Sequence, residues 1–279
     1  MAVFDRRSIG FRLFFWIFII VIGLFVFFPL YWMINTSFKP SGDIFDYRFF
    51  PSRLTLLNFY EVIFETKVLM FMKNSLIVAG FSSIFSTIVS AYAGYSFSKF
   101  TYRGRKFLML MFLSSRLFPF AILLLTIYQI VNFAGLRDSY LSLVLAFITF
   151  TLPVGTLTLK NYFDQLPDSI IESAKIDGAG VLRILHRIIL PISVPGLAVI
   201  AIYGFVWAWN DVLYSLTLIT STEKRTLAPG LILTYFGEFQ SSWASMMTAA
   251  IIVSIPVAVM FVLAQKLFVQ GLTSGAVKG

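Results

Sequence analysis

The chain lacks cysteine altogether and carries one histidine, His186. Disulfides, thiolate metal sites and cysteine nucleophiles are therefore excluded, and no group of histidines can hold zinc. A Ser-His-Asp hydrolase would have to be built on that single imidazole. Charge is scarce as well: Asp, Glu, Lys and Arg make up 13% of the 279 residues, where soluble domains carry about 25%. No Gly-x-x-x-x-Gly-Lys-Ser/Thr run is present, so the chain has no phosphate loop for a nucleotide. Asp211 is the one acidic residue inside the long apolar stretches, which leaves an intramembrane protease or transferase without its acid–base groups. The expectation is a non-catalytic chain that binds no metal or cofactor itself.

Apolar residues are what the chain has in excess: 58% of the side chains are hydrophobic, 32 of them Phe, and the mean hydropathy is +0.87. A helix that crosses a bilayer needs about 20 mostly apolar residues. Six stretches qualify, at residues 11–34, 75–97, 107–130, 140–159, 196–218 and 245–268. The first follows Arg6 and Arg7 as a secretory signal would, but it is too long and has no small-residue cleavage site, so it reads as a retained helix. The reading is an all-α polytopic membrane protein.

The net charge of +9 is explained by topology. On one side of the six spans lie Arg6, Arg7, Arg12, Lys99, Arg103, Arg105, Lys106, Lys160, Lys175, Arg183, Arg187, Lys266 and Lys278. On the other lie Lys39, Arg48, Arg53, Lys67, Lys73, Arg137, Lys224 and Arg225, mixed with most of the acids. The positive-inside rule places the first side, and both termini, in the cytoplasm. No folded basic module remains that would bind nucleic acid.

The longest segment on the cytoplasmic side, 161–195, is patterned. Pro167-Asp168 marks a turn, and Ser169-Ile-Ile-Glu172 fits a capping box that opens a short helix. Gly178 is placed to end that helix in a left-handed conformation. A second helix is expected over 181–190, with Leu182, Leu185 and Ile189 on one face and Arg183, His186 and Arg187 on the other, before Pro191 and Pro195 break it. Ser173, Ala174, Gly178 and Ala179 form a small-residue surface. On these residues alone, the segment is either a docking surface for another protein or an amphipathic re-entry loop. His186 falls on the solvated face.

The run Glu172-Ser-Ala-Lys-Ile-Asp-Gly-Ala179, followed by Leu190-Pro191 and Pro195-Gly196, resembles the cytoplasmic loop of permease subunits in binding-protein-dependent ABC importers, with Ser173 where that family usually has Ala. Further matches run along the chain: Pro29, Ser37-Phe38-Lys39-Pro40, Asn58-Phe59-Tyr60, Asn74-Ser75-Leu76, Ala93-Gly94-Tyr95, Leu152-Pro153 and Leu166-Pro167. Trp209-Asn210-Asp211 and the terminal Gly271–Gly279 stretch are similar to the maltose-type branch, which carries di- and oligosaccharides.

The resemblance implies a type I importer permease fold. An N-terminal helix and extracytoplasmic segment (1–71) would precede a five-helix core (72–268) and a cytoplasmic tail (269–279). It implies a second permease as heterodimer partner, two ATP-binding subunits that hold ATP and magnesium, and an extracytoplasmic sugar-binding protein. Glu172, Ser173, Ala174, Asp177, Gly178 and Ala179 would dock on the ATPase, and the tail residues Ser274, Gly275, Ala276, Val277, Lys278 and Gly279 would reach between its subunits. The outer segments, 35–73 and 223–243, would face the binding protein. The cargo could instead be a sugar phosphate, polyol or amino acid. A channel independent of ATP is the rival, and it leaves the patterned loop unexplained.

Charge at membrane depth marks a functional candidate. Arg116 and Asp211 would either pair with each other, be satisfied by a partner, or line a pathway for sugar together with Trp209 and Asn210. Trp207, Trp209, Asn210 and Tyr214 have the chemistry to meet a sugar, but tryptophan and tyrosine are enriched at membrane interfaces, and near the outer end of this span anchoring is the role expected for most of them.

Overall fold

A computed structural model describes the backbone of residues 9–236 and 243–276, with side chains as far as Gln265. Thirteen α-helices, and no strands, occur among the described residues. They are α1 (Ile9–Ser37), α2 (Leu57–Tyr60), α3 (Val68–Lys99), α4 (Arg105–Ser114), α5 (Phe120–Phe133), α6 (Tyr140–Asp164), α7 (Asp168–Ile176), α8 (Val181–Ile184), α9 (Leu190–Ile192), α10 (Val194–Trp209), α11 (Leu213–Leu218), α12 (Leu227–Tyr235) and α13 (Trp243–Ala276).

Four helices, α1, α3, α6 and the Trp243–Gln265 part of α13, are long and apolar enough to cross a membrane. The number rises to six if two bent pairs each count as one span. The expected span at 107–130 is thus not one helix: α4 and α5 meet at 106°. Pro119 is the cause. It forces Phe118 into an extended conformation (φ −79°, ψ 129°) and offers no N–H to continue the helix. The expected span at 196–218 is also interrupted, since α10 ends at Trp209 and α11 begins at Leu213.

The chain divides into two compact units. In the unit made of residues 1–67 and 234–254, α1 exposes its apolar side chains along nearly its whole length, as a lipid-facing helix does, and buries only Asn35, Thr36 and Ser37 at its end. Asn58 donates from Nδ2 to the carbonyls of Ser37 and Lys39 at 2.8 Å each, and Phe38 packs on Phe59 with ring centroids 5.1 Å apart. The two separate sequence motifs at 37–40 and 58–60 are therefore one contact. Lys39 is almost fully buried; its ammonium donates to the Asp46 carbonyl at 2.6 Å and lies 4.9 Å from the centre of the Trp32 ring.

The other unit, residues 68–233 and 255–279, is built on α3, α6 and α10. Lipid is as apolar as the side chains, so burying apolar surface does little to drive helices together and close backbone approach carries the packing. Ser82, Ser83, Ser86 and Ser90 of α3 are buried against this interface, and Ser83 donates to the Ala201 carbonyl of α10 at 2.6 Å. A Cβ on Gly94 would meet the Lys160 backbone nitrogen at 3.0 Å, and one on Gly204 would meet Ser86 Oγ at 3.0 Å. At the Asn74 end of α3, Asn74 Nδ2 donates to the carbonyls of Glu223 and Arg225 at 2.8 Å each, the Tyr140 hydroxyl donates to Asn74 Oδ1, and Ser75 Oγ accepts from the Leu227 N–H. The Asn74-Ser75 motif is thereby a clasp for the 223–227 loop.

A second clasp lies between α5 and α6. Asp138 has a positive φ of 54°. Its Oδ1 accepts from the N–H groups of Thr220 and Ser221 and from the Ser221 hydroxyl, each at 2.9 Å, while Lys224 lies 3.2 Å from Oδ2. Burial works against the charge, but these donors outweigh it and hold the carboxyl well below the usual carboxylate range. A lowered folded-state pKa stabilises above the unfolded value, about 4, and the contribution fades as pH falls beneath it toward the folded value. Asp138→Asn, which keeps a residue tolerant of positive φ, is expected to lower stability by about 1–3 kcal/mol at pH 7. Melting curves in detergent should show the gap between variant and parent narrowing below pH 4.

Candidate functional site

Two features of the α3–α6–α10 unit carry functional geometry. The first is α7 and its turn. Ile171 and Ala174 point into a buried cluster with Tyr95, Leu159, Phe163, Ile184, Leu185 and Ile189. Lys99, at the end of α3, pairs with Asp168 at 2.7 Å and donates to the Leu166 carbonyl at 3.2 Å, which fixes the start of α7. The expected capping box is not formed: α7 starts at Asp168, one residue before Ser169, and no side chain caps it. Pro167 ahead of it makes one backbone donor fewer to satisfy.

The end of α7 is a Schellman turn. The Ala179 N–H donates to the Ala174 carbonyl at 2.9 Å and the Gly178 N–H to the Lys175 carbonyl at 3.0 Å, with Gly178 at φ 76°. Left-handed geometry at 178 is as the sequence predicts. The small-residue surface is not: Ala174 is buried and Ala179 packs on the same cluster, so both serve the turn and the core. Outward face Glu172, Ser173, Lys175, Ile176, Asp177 and Gly178. Ile176, an apolar side chain 87% exposed just before the turn, is not singled out by the sequence pattern.

The segment after the turn is helical from Val181 to Ile192, with a π-turn at Leu185–Ile189, and bends by 80° into α10. Pro191 sits in the first turn of α9 and does not break it, a position proline tolerates. The buried face is Ile184, Leu185 and Ile189, while Leu182, in the first turn of α8, is exposed. His186 is exposed but not free: Nδ1 lies 2.7 Å from the Leu182 carbonyl, an acceptor to which it donates, and Nε2 lies 2.7 Å from the Tyr92 hydroxyl of α3.

The second feature is a cavity of about 740 Å³ where the two interrupted spans meet, with Phe120, Tyr203, Trp207, Asn210, Asp211 and Phe261 among its lining residues. Asp211 accepts from the N–H groups of Ser215 at 2.8 Å and Tyr214 at 3.4 Å, which opens α11 and holds the break in place. Tyr214 is fully buried and donates to the Phe120 carbonyl at 2.9 Å, so one interruption is tied to the other. Phe120, Phe150, Trp207 and Tyr214 pack with ring centroids 4.5–5.3 Å apart.

Arg116 lies in the 3-10 turn at the first break and donates to the Tyr203 hydroxyl at 3.2 Å. It does not pair with Asp211; the described ion pairs lie elsewhere. Of the pathway candidates, Asn210 and Asp211 line the cavity and Arg116 reaches it through Tyr203. Trp209 does not: it is buried and stacks on Phe205 at 5.4 Å. Tyr214 and Trp209 are interior residues, not interfacial anchors. Tyr203 and Phe120 were missed, although Pro119 and Asp211 inside apolar runs are the signal for discontinuous helices, where transporter sites gather. Asp211→Ala removes both acceptors from the α11 start and is expected to lower the detergent melting temperature by several degrees, as loss of a cap worth about 1–2 kcal/mol would.

Of the tail candidates, Ser274, Gly275 and Ala276 close the backbone of α13, while Val277, Lys278 and Gly279 lie outside the described residues.

Residues 86–274 match the model of the family described as binding-protein-dependent transport system inner membrane component. The chain is 32% identical over 254 residues to the diacetylchitobiose uptake system permease of Streptomyces coelicolor, covering 90% of this chain and 92% of that one. It is 31% identical over 262 residues to the trehalose/maltose permease of Thermococcus litoralis (93% and 94%) and 32% identical over 264 residues to the maltodextrin permease of Bacillus subtilis (95% and 95%). A chain of a solved bacterial ABC transporter involved in import of the acidic polysaccharide alginate superposes with a TM-score of 0.83 at 20% identity, covering 96% of this chain and all of that one.

Proposed function

The chain belongs to the family of binding-protein-dependent transport inner membrane components, and from that premise we propose that it imports a di- or oligosaccharide as one of two permeases driven by a pair of cytosolic ATPase subunits. It is a non-catalytic, multi-pass membrane subunit of an ABC importer. ATP and magnesium belong to the ATPase, and an extracytoplasmic binding protein delivers the sugar. Both termini are cytoplasmic in this reading.

The observation that carries the mechanism is the mounting of α7. Its outward face offers Glu172, Ser173, Lys175, Ile176 and Asp177 to a partner, while Ile171 and Ala174 and the Lys99–Asp168 pair key it into the ends of α3 and α6. A helix held at both faces transmits displacement as a rigid body, because a filled core does not compress. Closure of the ATPase dimer would push α7 and tilt the α3–α6–α10 unit, and the bent connection into α10 carries that movement to the cavity. Alternating access follows from such rocking. In the cavity, the Trp207 and Phe120 rings supply apolar faces for a sugar, and Asn210, with Arg116 through Tyr203, supplies polar groups.

One observation favours a second cargo: Arg116 beside the cavity has no carboxylate partner among the described residues, which suits a sugar phosphate. The reading is tested by affinity purification from the native membrane in mild detergent. One different permease and two copies of a soluble ATPase should co-purify, and the associated binding protein's ligand then names the sugar. Recovery of this chain alone, or as a homo-oligomer, would overturn the importer reading in favour of a channel.

A further inference from the structure

Between α3 and α4 the chain leaves a hollow of about 680 Å³ whose lining includes Tyr102, Arg105, Lys106, Phe107, Met109 and Lys160. Its charges are unevenly matched. Lys160 pairs with Asp164 at 2.5 Å, and Asp164 also accepts from the Ser98 hydroxyl at 2.7 Å. Lys99, close by in sequence, is matched by Asp168. Arg103, Arg105 and Lys106 have no carboxylate within ion-pair distance among the described residues, and Arg105 uses a single N–H on the Phe100 carbonyl at 3.1 Å.

These cations stand at the start of α4, where an apolar helix begins and a bilayer interface falls. α4 buries none of its side chains, and Phe107 and Leu110 are both more than 60% exposed. A hollow with apolar walls and excess positive charge at Arg105 and Lys106 therefore opens directly onto a bare apolar helix flank. We propose that it holds the headgroup of an anionic phospholipid, with the phosphate on Arg105 and Lys106 and an acyl chain along α4. Charge complementarity selects the headgroup, since basic pockets beside membrane helices recognise anionic lipid. The continuous apolar flank selects a lipid over a soluble phosphate. The site is independent of which sugar is carried.

The test uses the full chain in its detergent-purified transport complex, stripped of lipid and titrated with phosphatidylglycerol or phosphatidylcholine of matched chains. The parent should prefer phosphatidylglycerol. A basic residue near the surface is worth about a fivefold change in binding, so Lys106→Gln should cut the preference about fivefold and the Arg105→Gln/Lys106→Gln double variant roughly 25-fold. Lys106→Arg should retain it, as should Arg137→Gln, which lies in another loop. Equal binding of both lipids by the parent would overturn the proposal, as would an unchanged preference in the double variant. Displacement of the lipid by glycerol phosphate at equal potency would assign the hollow to a soluble phosphate instead. Loss of the ATPase from the double variant with lipid preference intact would assign these cations to a protein contact.

Discussion

Gly155→Leu is expected to remove the folded chain almost completely from the membrane fraction. Gly155 sits in α6 where α3 and α10 both press against it: a Cβ built there runs into the Ser90 hydroxyl and lies 2.9 Å from Ile200 Cγ2 and 3.0 Å from Ser90 Cβ. Ser90 is fully buried and Ile200 nearly so, and neither has room to withdraw. Overpacking a filled core costs about 1–3 kcal/mol and sometimes more. Four carbons inserted at a three-helix contact belong at or beyond the upper end, against a total stability of about 5–15 kcal/mol. Size-exclusion of detergent-solubilised membranes reads the result directly. Gly155→Ala should give an intermediate yield, and adding Ser90→Gly should recover part of it, because that removes two of the three obstructing atoms. Parental yield from Gly155→Leu would show that the three helices do not approach as described.

Gly178→Val is expected to leave the chain inserted and assembled but to cut sugar uptake more than tenfold while ATP hydrolysis persists. No atom lies within 4 Å of an added Cβ, so the substitution meets open space. Its cost is conformational: φ is 76°, and a β-branched residue is strongly disfavoured there. Relief requires the turn to unwind, which breaks the Ala179-to-Ala174 and Gly178-to-Lys175 hydrogen bonds and frees the end of α7 from its core. Gly178→Asn adds a side chain that tolerates the left-handed region and should retain most uptake. If valine and asparagine behave alike, the turn's conformation is not what couples the loop to transport.

These two glycines show what was legible in the sequence and what was not. Gly178 followed a short helical pattern and preceded a second one, so its left-handed φ could be read directly. Gly155 lies inside an apolar span, where hydropathy is blind to which residues face a neighbour. The same blindness hid the breaks at Pro119 and Asp211: a window of 20 apolar residues reports the length of a span but not its continuity. Ala174 and Ala179 were misassigned because small size suits a docking surface and a buried turn equally, and only the position of the core separates the two. Asn58 and Asn74 were recognisable as motifs, but their work as clasps for carbonyls far along the chain depends on the fold.

The central claim is that the outward face of α7 meets the ATPase. Because the chain has no cysteine, Ile176→Cys would be its sole thiol. The decisive measurement is crosslinking from Cys at that position in the purified complex, with a short thiol-to-amine reagent, in the presence and absence of ATP. A product with the ATPase subunit whose yield changes with nucleotide, and none from a cysteine placed at buried Ala174, is the predicted result. No product from position 176 in a complex that contains the ATPase would contradict the account.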